Sequence, residues 1–466
     1  MSHITRRQAL FTLPGALAAQ TPSARRPNFV FVLTDDQRWD SLGCTGSPHA
    51  KTPHIDRLAK EGVILRNYFC VTPLCSPSRA SYLTGLYAHT HRIINNDKQG
   101  LSDISHSLLT FPRILRENGY ETAFIGKWHM GFDDTRRPGF DHWISFRGQG
   151  QYIDGVVNEN DRRRQLTGYM TDYLNAEAVK FVEQKHSKPF ALCLHHKAVH
   201  FPYLPAPRHQ DLFHNATFVD PPSAKDDLSG KPVLTRTVER QDPLLLEGST
   251  PEPAESRRGR PRTPDAIYKD QMRCLAAVDE GVGMLRAALE KTGQLEDTVF
   301  IFTSDNGYLM GEHGQYDQKR LAYEESIRLP MVIRYPRLAS MRGDRNQITL
   351  NIDIAPTILD IAGVKPYERM HGQSMLPILR NANAPGRISA LFEYFNEKNG
   401  LRYPRWIAVR TERWKLIRYQ GVAGIDELYD LSTDAIETKN RIDDPALASQ
   451  VSELDRELRK LLDASR

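Results

Sequence analysis

Long apolar runs are missing from this chain. No stretch of its 466 residues approaches the roughly 20 consecutive apolar residues of a membrane span, so no transmembrane helix is predicted. Cysteine is scarce and odd in number: Cys44, Cys70, Cys75, Cys193 and Cys274. They form no C-x-x-C pair and no zinc spacing, which excludes a disulfide framework and a thiolate zinc site, and at least one thiol lacks an intrachain partner. A dominant charge is missing as well. The 62 basic residues nearly balance the 57 acidic ones, for a net charge of +5, too even for an obligate nucleic-acid binder. There is no internal repeat.

What is present is ordinary globular composition, 40% hydrophobic and 26% charged, enough for one large domain with a smaller one. The N-terminus places Arg6-Arg7 before a short apolar run, with Ala16-Leu17-Ala18 as small residues suited to cleavage. This pattern is similar to a twin-arginine export signal. It predicts a leader over 1–27, with about the first 20 residues removed on export to the periplasm or the medium.

From Asn28 the chain alternates between β-rich runs and helical stretches. Strands are predicted at 28–34, 122–125, 189–194, 298–303 and 330–334. Helices are predicted at 55–61, 111–118, 169–184 and 266–291, the first two ending at Gly62 and Gly119. That alternation implies an α/β fold, a large, mostly parallel sheet covered by helices on both faces. Residues 211–263 break the rhythm with Pro, Ser, Asp and Arg and read as a surface insertion. After about Met375, four short strand-like runs and a final helix over 446–462 predict a small antiparallel sheet in a C-terminal subdomain, 376–466, behind a main domain of 28–375.

The polar residues gather at strand ends. The first strand ends in Thr34-Asp35-Asp36, the second runs into Lys127-Trp128-His129, the third into His195 to His200, and the fourth into Ser304-Asp305-Asn306-Gly307. Ligands of open α/β sheets bind beyond the carboxyl ends of the strands, so these four ends predict one site. Asp35, Asp36, Asp305 and Asn306 are four oxygen donors, a set suited to a hard divalent cation, Ca²⁺ or Mg²⁺. Arg79, Lys127, His129, His200 and Lys319 complement them and imply an anionic substrate group. Each residue taken alone is explained by a turn or a solvated side chain; the collective pattern carries the reading.

Cys75 stands in L-C-S-P-S-R-A-S-Y-L-T-G at a predicted helix start. Pro77 suits the first turn, Ser76 or Ser78 is a candidate cap, and Arg79, four residues on, shares the face of Cys75. A helix N-terminus also attracts anions. A thiolate nucleophile of the tyrosine-phosphatase kind is conceivable there, but Ser-Pro-Ser replaces the glycine-rich anion loop which that chemistry needs.

Cys75-Ser-Pro-Ser-Arg79, continued by Leu83-Thr-Gly85, resembles the signature of the type I sulfatases of the alkaline phosphatase superfamily. The resemblance spans nearly the whole mature chain. T-D-D-Q lies at Thr34, T-P-H-I-D-R-L-A at Thr52, G-K-W-H-M-G at Gly126, H-K-A-V-H-F-P at His196, S-D-N-G at Ser304, Y-E-E-S-I-R-L-P at Tyr323 and E-L-Y-D-L at Glu427.

The resemblance implies that Cys75 is the precursor of a nucleophile. A formylglycine-generating enzyme would oxidise it to Cα-formylglycine, whose hydrate attacks sulfur and later expels sulfate. It implies one Ca²⁺ held by Asp35, Asp36, Asp305 and Asn306 together with residue 75. Arg79 would orient the hydrate, His129 would serve it, and Lys127, His200 and Lys319 would contact the sulfate. His200 or Lys319 would protonate the leaving oxygen, with Lys197 and His313 as neighbouring competitors.

For the substrate, His89 to Asn96 and His196 to His209 are similar to the pocket walls of N-acetylglucosamine-6-sulfatases. The expected partner is therefore a sulfated carbohydrate of glycosaminoglycan or mucin type, with Arg136, Arg137 and Arg147 as candidates for further charges. The alternatives are a phosphonate or phosphate ester hydrolase of the same superfamily, a sulfatase for another sugar or an aryl sulfate, and an inactive carbohydrate-binding relative.

Overall fold

Ten strands form one mixed sheet in a computed structural model that describes residues 26–97, 100–235, 263–338, 342–397 and 403–466. The Arg6-Arg7 leader and residues 236–262 of the expected insertion lie outside the described residues. The strands are β1 (Asn28–Thr34), β2 (Val63–Leu65), β3 (Glu121–Gly126), β4 (His142–Ser145), β5 (Val156–Glu159), β6 (Arg162–Gln165), β7 (Phe190–His195), β8 (Thr298–Ser304), β9 (Met331–Arg334) and β10 (Gly343–Arg345). Their order is β10-β2-β9-β8-β1-β7-β3-β4-β5-β6. The central five, β8 to β4, are parallel. Antiparallel pairs join β9, β5 and β6 on the flanks.

Both faces of this sheet are apolar because its middle strands are buried on both sides. Side chains alternate across a strand, so β1 sends Val30 and Val32 to one core and Phe29, Phe31 and Leu33 to the other. The first core is closed by helices α1 (Pro53–Glu61), α4 (Met170–Glu183) and α5 (Pro264–Lys291), and the second by α2 (Cys75–Thr84), α3 (Phe111–Glu117) and α6 (Ile354–Ile361). The expected fold class is the observed one.

A separate antiparallel sheet follows, β11 (Ser389–Tyr394), β12 (Trp406–Thr411), β13 (Trp414–Tyr419) and β14 (Glu427–Asp430) in that order, with α7 (Ala448–Ala464) packed on it through Leu454 and Leu458. Buried charge joins this sheet to the short helix Glu324–Ile327 of the main domain. Arg410 and Lys415 both reach Glu324, and Lys415 also reaches Glu437 at 2.6 Å. In the described part of the 211–263 segment, Lys231 is fully buried and its Nζ donates to the Tyr429 hydroxyl at 2.7 Å.

Candidate active site

Parallel register brings the polar strand ends level. Thr34 of β1 stands opposite Ser304 of β8, Leu33 opposite His195 of β7, and Gly126 of β3 opposite the same His195. The ladder then runs one residue further. Asp305 N donates to Thr34 O at 3.1 Å, Asp35 N to Ala198 O at 3.0 Å, and Lys127 N to His195 O at 2.7 Å. The residues that leave the four strands are therefore neighbours by geometry alone.

Two local conformations turn them inward. Asp36 takes a left-handed φ of 58°, which lets consecutive aspartates both face the site. Gly126 has φ 121°, and a Cβ there would lie 1.9 Å from His195 O, so only glycine passes β3 close enough to deliver Lys127.

Helix α2 arrives at this edge with Cys75 as its first residue. The capping expected from Ser76 or Ser78 is not made: α2 has no side-chain cap on its N-cap residue, Leu74. Ser76 Oγ donates instead to the His129 carbonyl, and Ser78 Oγ to the Asp305 carbonyl. The free amide of Ser76 is satisfied from outside by Asn96 Oδ1 at 3.0 Å. Both hydroxyls thus tie the helix to strand exits, and they do so because α2 is buried on all sides.

Cys75 and Arg79 share one face of α2, as their spacing predicts. Arg79 donates from Nε to Asp305 Oδ2 at 2.9 Å, and from its two terminal nitrogens to Lys127 O at 2.8 Å and Asp35 Oδ2 at 3.2 Å. Lys127 Nζ pairs with Asp35, and Lys319 Nζ pairs with Asp36 and lies 2.9 Å from Cys75 Sγ. Cys75 Sγ is 3.6 Å from Asp35 Oδ1. Three buried carboxylates are thereby interleaved with three buried cations. His200 lies nearest the solvent, its Nε2 3.6 Å from Asp36 Oδ2, and its Nδ1 donates to Phe201 O at 2.8 Å. That bond assigns the Nδ1–H tautomer and aims Nε2 at the site.

The environment shifts these groups. Burial, with Asp35 acting the same way, pushes the Cys75 thiol up to about 12, which disfavours a simple thiolate nucleophile. Burial and then Lys127 hold His129 well below the usual imidazole range. Burial does the same to His200, against the pull of Asp35. Burial also lowers Lys197 to about 8.

The donor set fits a hard divalent cation. Oxygens of Asp35, Asp36 and Asp305 lie within 4.8 Å of one another, all three residues buried. Asn306 Nδ2 donates to Asp36 Oδ1 at 2.7 Å, leaving Asn306 Oδ1 buried and without a hydrogen-bond partner among the described residues. A buried acceptor of that kind costs free energy unless something binds it. Asp35, Cys75 and His200 form a second close group at the same place.

Other expected residues are bonded to different partners. His313 is bonded to Asp226 at 2.9 Å and packs on Tyr323. Lys197 donates to Phe201 O at 3.1 Å and lies over the Tyr152 ring. His89 pairs with Glu393 and reaches Ser465 O, so it joins α2's flank to the C-terminal sheet and the chain end. Arg137 is buried against Asp133 and Trp128, and Arg136 pairs with Asp161. Sequence reasoning missed Tyr152, whose hydroxyl donates to His200 O at 2.7 Å, and the capping role of Asn96. Tyr152 carries no local signal, whereas Asn96 sits in an Asn-Asn pair close behind α2 in the chain.

Comparison with known proteins places the chain in a family. A sulfatase family model matches residues 27–364, and a model of the N-sulphoglucosamine sulphohydrolase C-terminal region matches residues 311–464. The N-acetylglucosamine-6-O-sulfatase of Bacteroides thetaiotaomicron is 32% identical over 96% of this chain and 88% of its own length. Human N-acetylglucosamine-6-sulfatase is 32% identical over 85% of this chain and 72% of its own. A protein solved in complex with its substrate D-glucosamine-2-N,6-O-disulfate superimposes with a TM-score of 0.82 at 31% identity, covering 95% of this chain and 98% of that one.

Proposed function

Because the chain belongs to the sulfatase family and is a sulfuric ester hydrolase, we propose that its substrate is a sulfated amino sugar of glycosaminoglycan or mucin type, with N-acetylglucosamine-6-sulfate as the first candidate. The support for the sugar is the two N-acetylglucosamine-6-sulfatases matched over most of this chain and the glucosamine disulfate held by the superimposed structure. The observation that carries the chemistry is Cys75 at the start of α2, buried between Lys319 and Asp35.

In this reading Cys75 is converted to formylglycine, and its Sγ marks the place of the reacting oxygen. Asp35, Asp36, Asp305 and Asn306 would hold Ca²⁺. When bound, the cation supplies Lewis-acid polarisation of sulfate oxygens, and formylglycine supplies an oxygen nucleophile.

The chain's own residues do the rest. Arg79 is locked by three acceptors and fixes the side chain of residue 75 through the shared helix face. Lys127, paired with Asp35, and Lys319, beside residue 75, are N–H donors that offset charge growing on sulfate oxygens. His129, bonded through its carbonyl to Ser76, is kept neutral and is the base for the residue-75 hydroxyl. His200 faces the opening, so the leaving sugar oxygen takes its proton from Nε2, with Lys319 Nζ as the deeper alternative. All of these residues fall in 28–375, which we assign as the catalytic unit, with 376–466 as its support. Export follows from the Arg6-Arg7 leader.

The test is sulfate release from a panel of N-acetylglucosamine-6-sulfate, other glycosaminoglycan sulfates and 4-nitrophenyl sulfate, by protein whose residue 75 has been checked by mass, beside a Cys75→Ala control. Release from the amino sugar that is lost in the control is the expected result. Faster turnover of phosphonate or phosphate esters would move the chain to the neighbouring chemistry.

A further inference from the structure

The loop that carries His200 leaves one large apolar group in the open. Phe201 is 38% exposed, while its neighbours Ala198, Val199 and Tyr203 are buried. A single exposed phenylalanine is common and by itself means nothing. This one differs in how firmly it is held and where. Its carbonyl accepts from Lys197 Nζ at 3.1 Å and from His200 Nδ1 at 2.8 Å. The preceding carbonyl, of His200, accepts from the Tyr152 hydroxyl at 2.7 Å. The Phe201 ring stands edge-on to Tyr203 at 5.7 Å and 88°, and Tyr203 is itself bonded through its hydroxyl to Tyr308. Lys197, Tyr152 and Tyr203 are all buried, so the backbone that carries the phenyl ring rests on a buried base.

Its place is one residue from His200, whose Nε2 reaches Asp36. Its carbonyl is bonded to the imidazole whose other nitrogen faces Asp36, so Phe201 belongs to the loop that forms the open edge of the site. A pyranose ring presents an apolar C–H face and a polar rim, and an exposed aromatic ring is a flat apolar partner for such a face.

We propose that Phe201 is the platform on which the sugar ring of the substrate packs, orienting the sulfated carbon toward residue 75 and the leaving oxygen toward His200. This rests on the reading that the substrate is a sulfated sugar. It makes Phe201 a binding and specificity residue, with Lys197 and Tyr152 as the positioning residues beneath it.

The experiment is steady-state hydrolysis of N-acetylglucosamine-6-sulfate by the wild type, Phe201→Ala and Phe201→Trp, with melting temperatures. The expected result is a rise in KM of about tenfold in Phe201→Ala, the loss falling on KM rather than kcat, with recovery in Phe201→Trp, which keeps a flat ring. An unchanged KM in Phe201→Ala while the wild type turns over the sugar would overturn the platform alone. So would a fall in kcat together with melting temperature that Phe201→Trp shares, since that is the mark of a structural role. Should Phe201→Ala fail to fold, Phe201→Trp decides: a KM at or below the wild-type value supports the platform, and a raised one overturns it. A wild type that hydrolyses 4-nitrophenyl sulfate but no sugar would defeat the substrate reading, and the platform with it.

Discussion

Arg79 and Asp305 meet with Nε 2.9 Å from Oδ2, both side chains fully buried, 226 residues apart in the chain. The guanidinium at the end of this contact also holds Asp35 and the Lys127 carbonyl. Lysine has the charge but not the fork, and cannot reach all three acceptors. Arg79→Lys is therefore expected to lose both activity and stability, the latter by about 3 kcal/mol, since it leaves buried carboxylate oxygens unpaired. Urea denaturation beside sulfate release measures both.

Removal of the cation should be felt in folding as well as in rate. Asp35, Asp36 and Asp305 crowd their charges in a buried space, and Asn306 Oδ1 has no partner among the described residues. Chelation by EGTA is expected to lower the melting temperature and abolish turnover. Added Ca²⁺ should restore both, with a shift that grows with the logarithm of its concentration. Asp305→Asn should flatten that dependence. A melting temperature insensitive to chelator in cation-loaded protein would remove the metal from this reading.

His200 is assigned to the leaving oxygen, and the assignment has a leaving-group signature. An alkoxide needs its proton and nitrophenolate does not. His200→Gln should cost about 10²- to 10⁴-fold in kcat on the sugar sulfate and much less on 4-nitrophenyl sulfate. Equal losses on both substrates would place His200 in sulfate binding.

The buried charges that fasten the C-terminal sheet predict a pH dependence. Burial works against the charge of Glu324, yet Arg410 and Lys415 outweigh it and hold the carboxyl well below the usual range. A depressed carboxylate contributes stability that is complete above its unfolded pKa of about 4.3 and is lost as pH falls toward the folded value. In Glu324→Gln that contribution is absent, so its stability deficit should be largest near neutrality and shrink below about pH 5. Chemical denaturation of both proteins from pH 7 to pH 4 checks the sign.

Much of the site was legible because it lies where regular structure stops. Asp35-Asp36, Lys127, His200 and Asp305-Asn306 follow apolar runs short enough to be buried strands, and parallel register leaves the exits of adjacent strands no freedom to be apart. Cys75 and Arg79 were legible as a pair because a helix repeats near every fourth residue. Capping was misread because Ser76 and Ser78 have the chemistry of caps, but their hydroxyls find carbonyls of His129 and Asp305 that arrive from other strands. His89 and His313 were illegible for the same reason. Their partners, Glu393 and Asp226, lie 304 and 87 residues away.

The sequence by itself determined the layered α/β fold and the sheet edge where the polar strand ends gather, while the proposed role of Cys75 rests on the resemblance of Cys75-Ser-Pro-Ser-Arg79 to the sulfatase signature. The fold and that edge follow from local periodicity and from the apolar faces it creates, which must be buried whatever else the chain does. Only the tertiary structure decided which acid each cation meets, that Asn306 keeps an unpartnered oxygen beside three carboxylates, that Asn96 closes the start of α2, and that Phe201 alone among its neighbours stays in the open. Those outcomes depend on contacts between segments far apart in sequence, where a side chain's partner is set by what packing brings to it and not by its own chemistry.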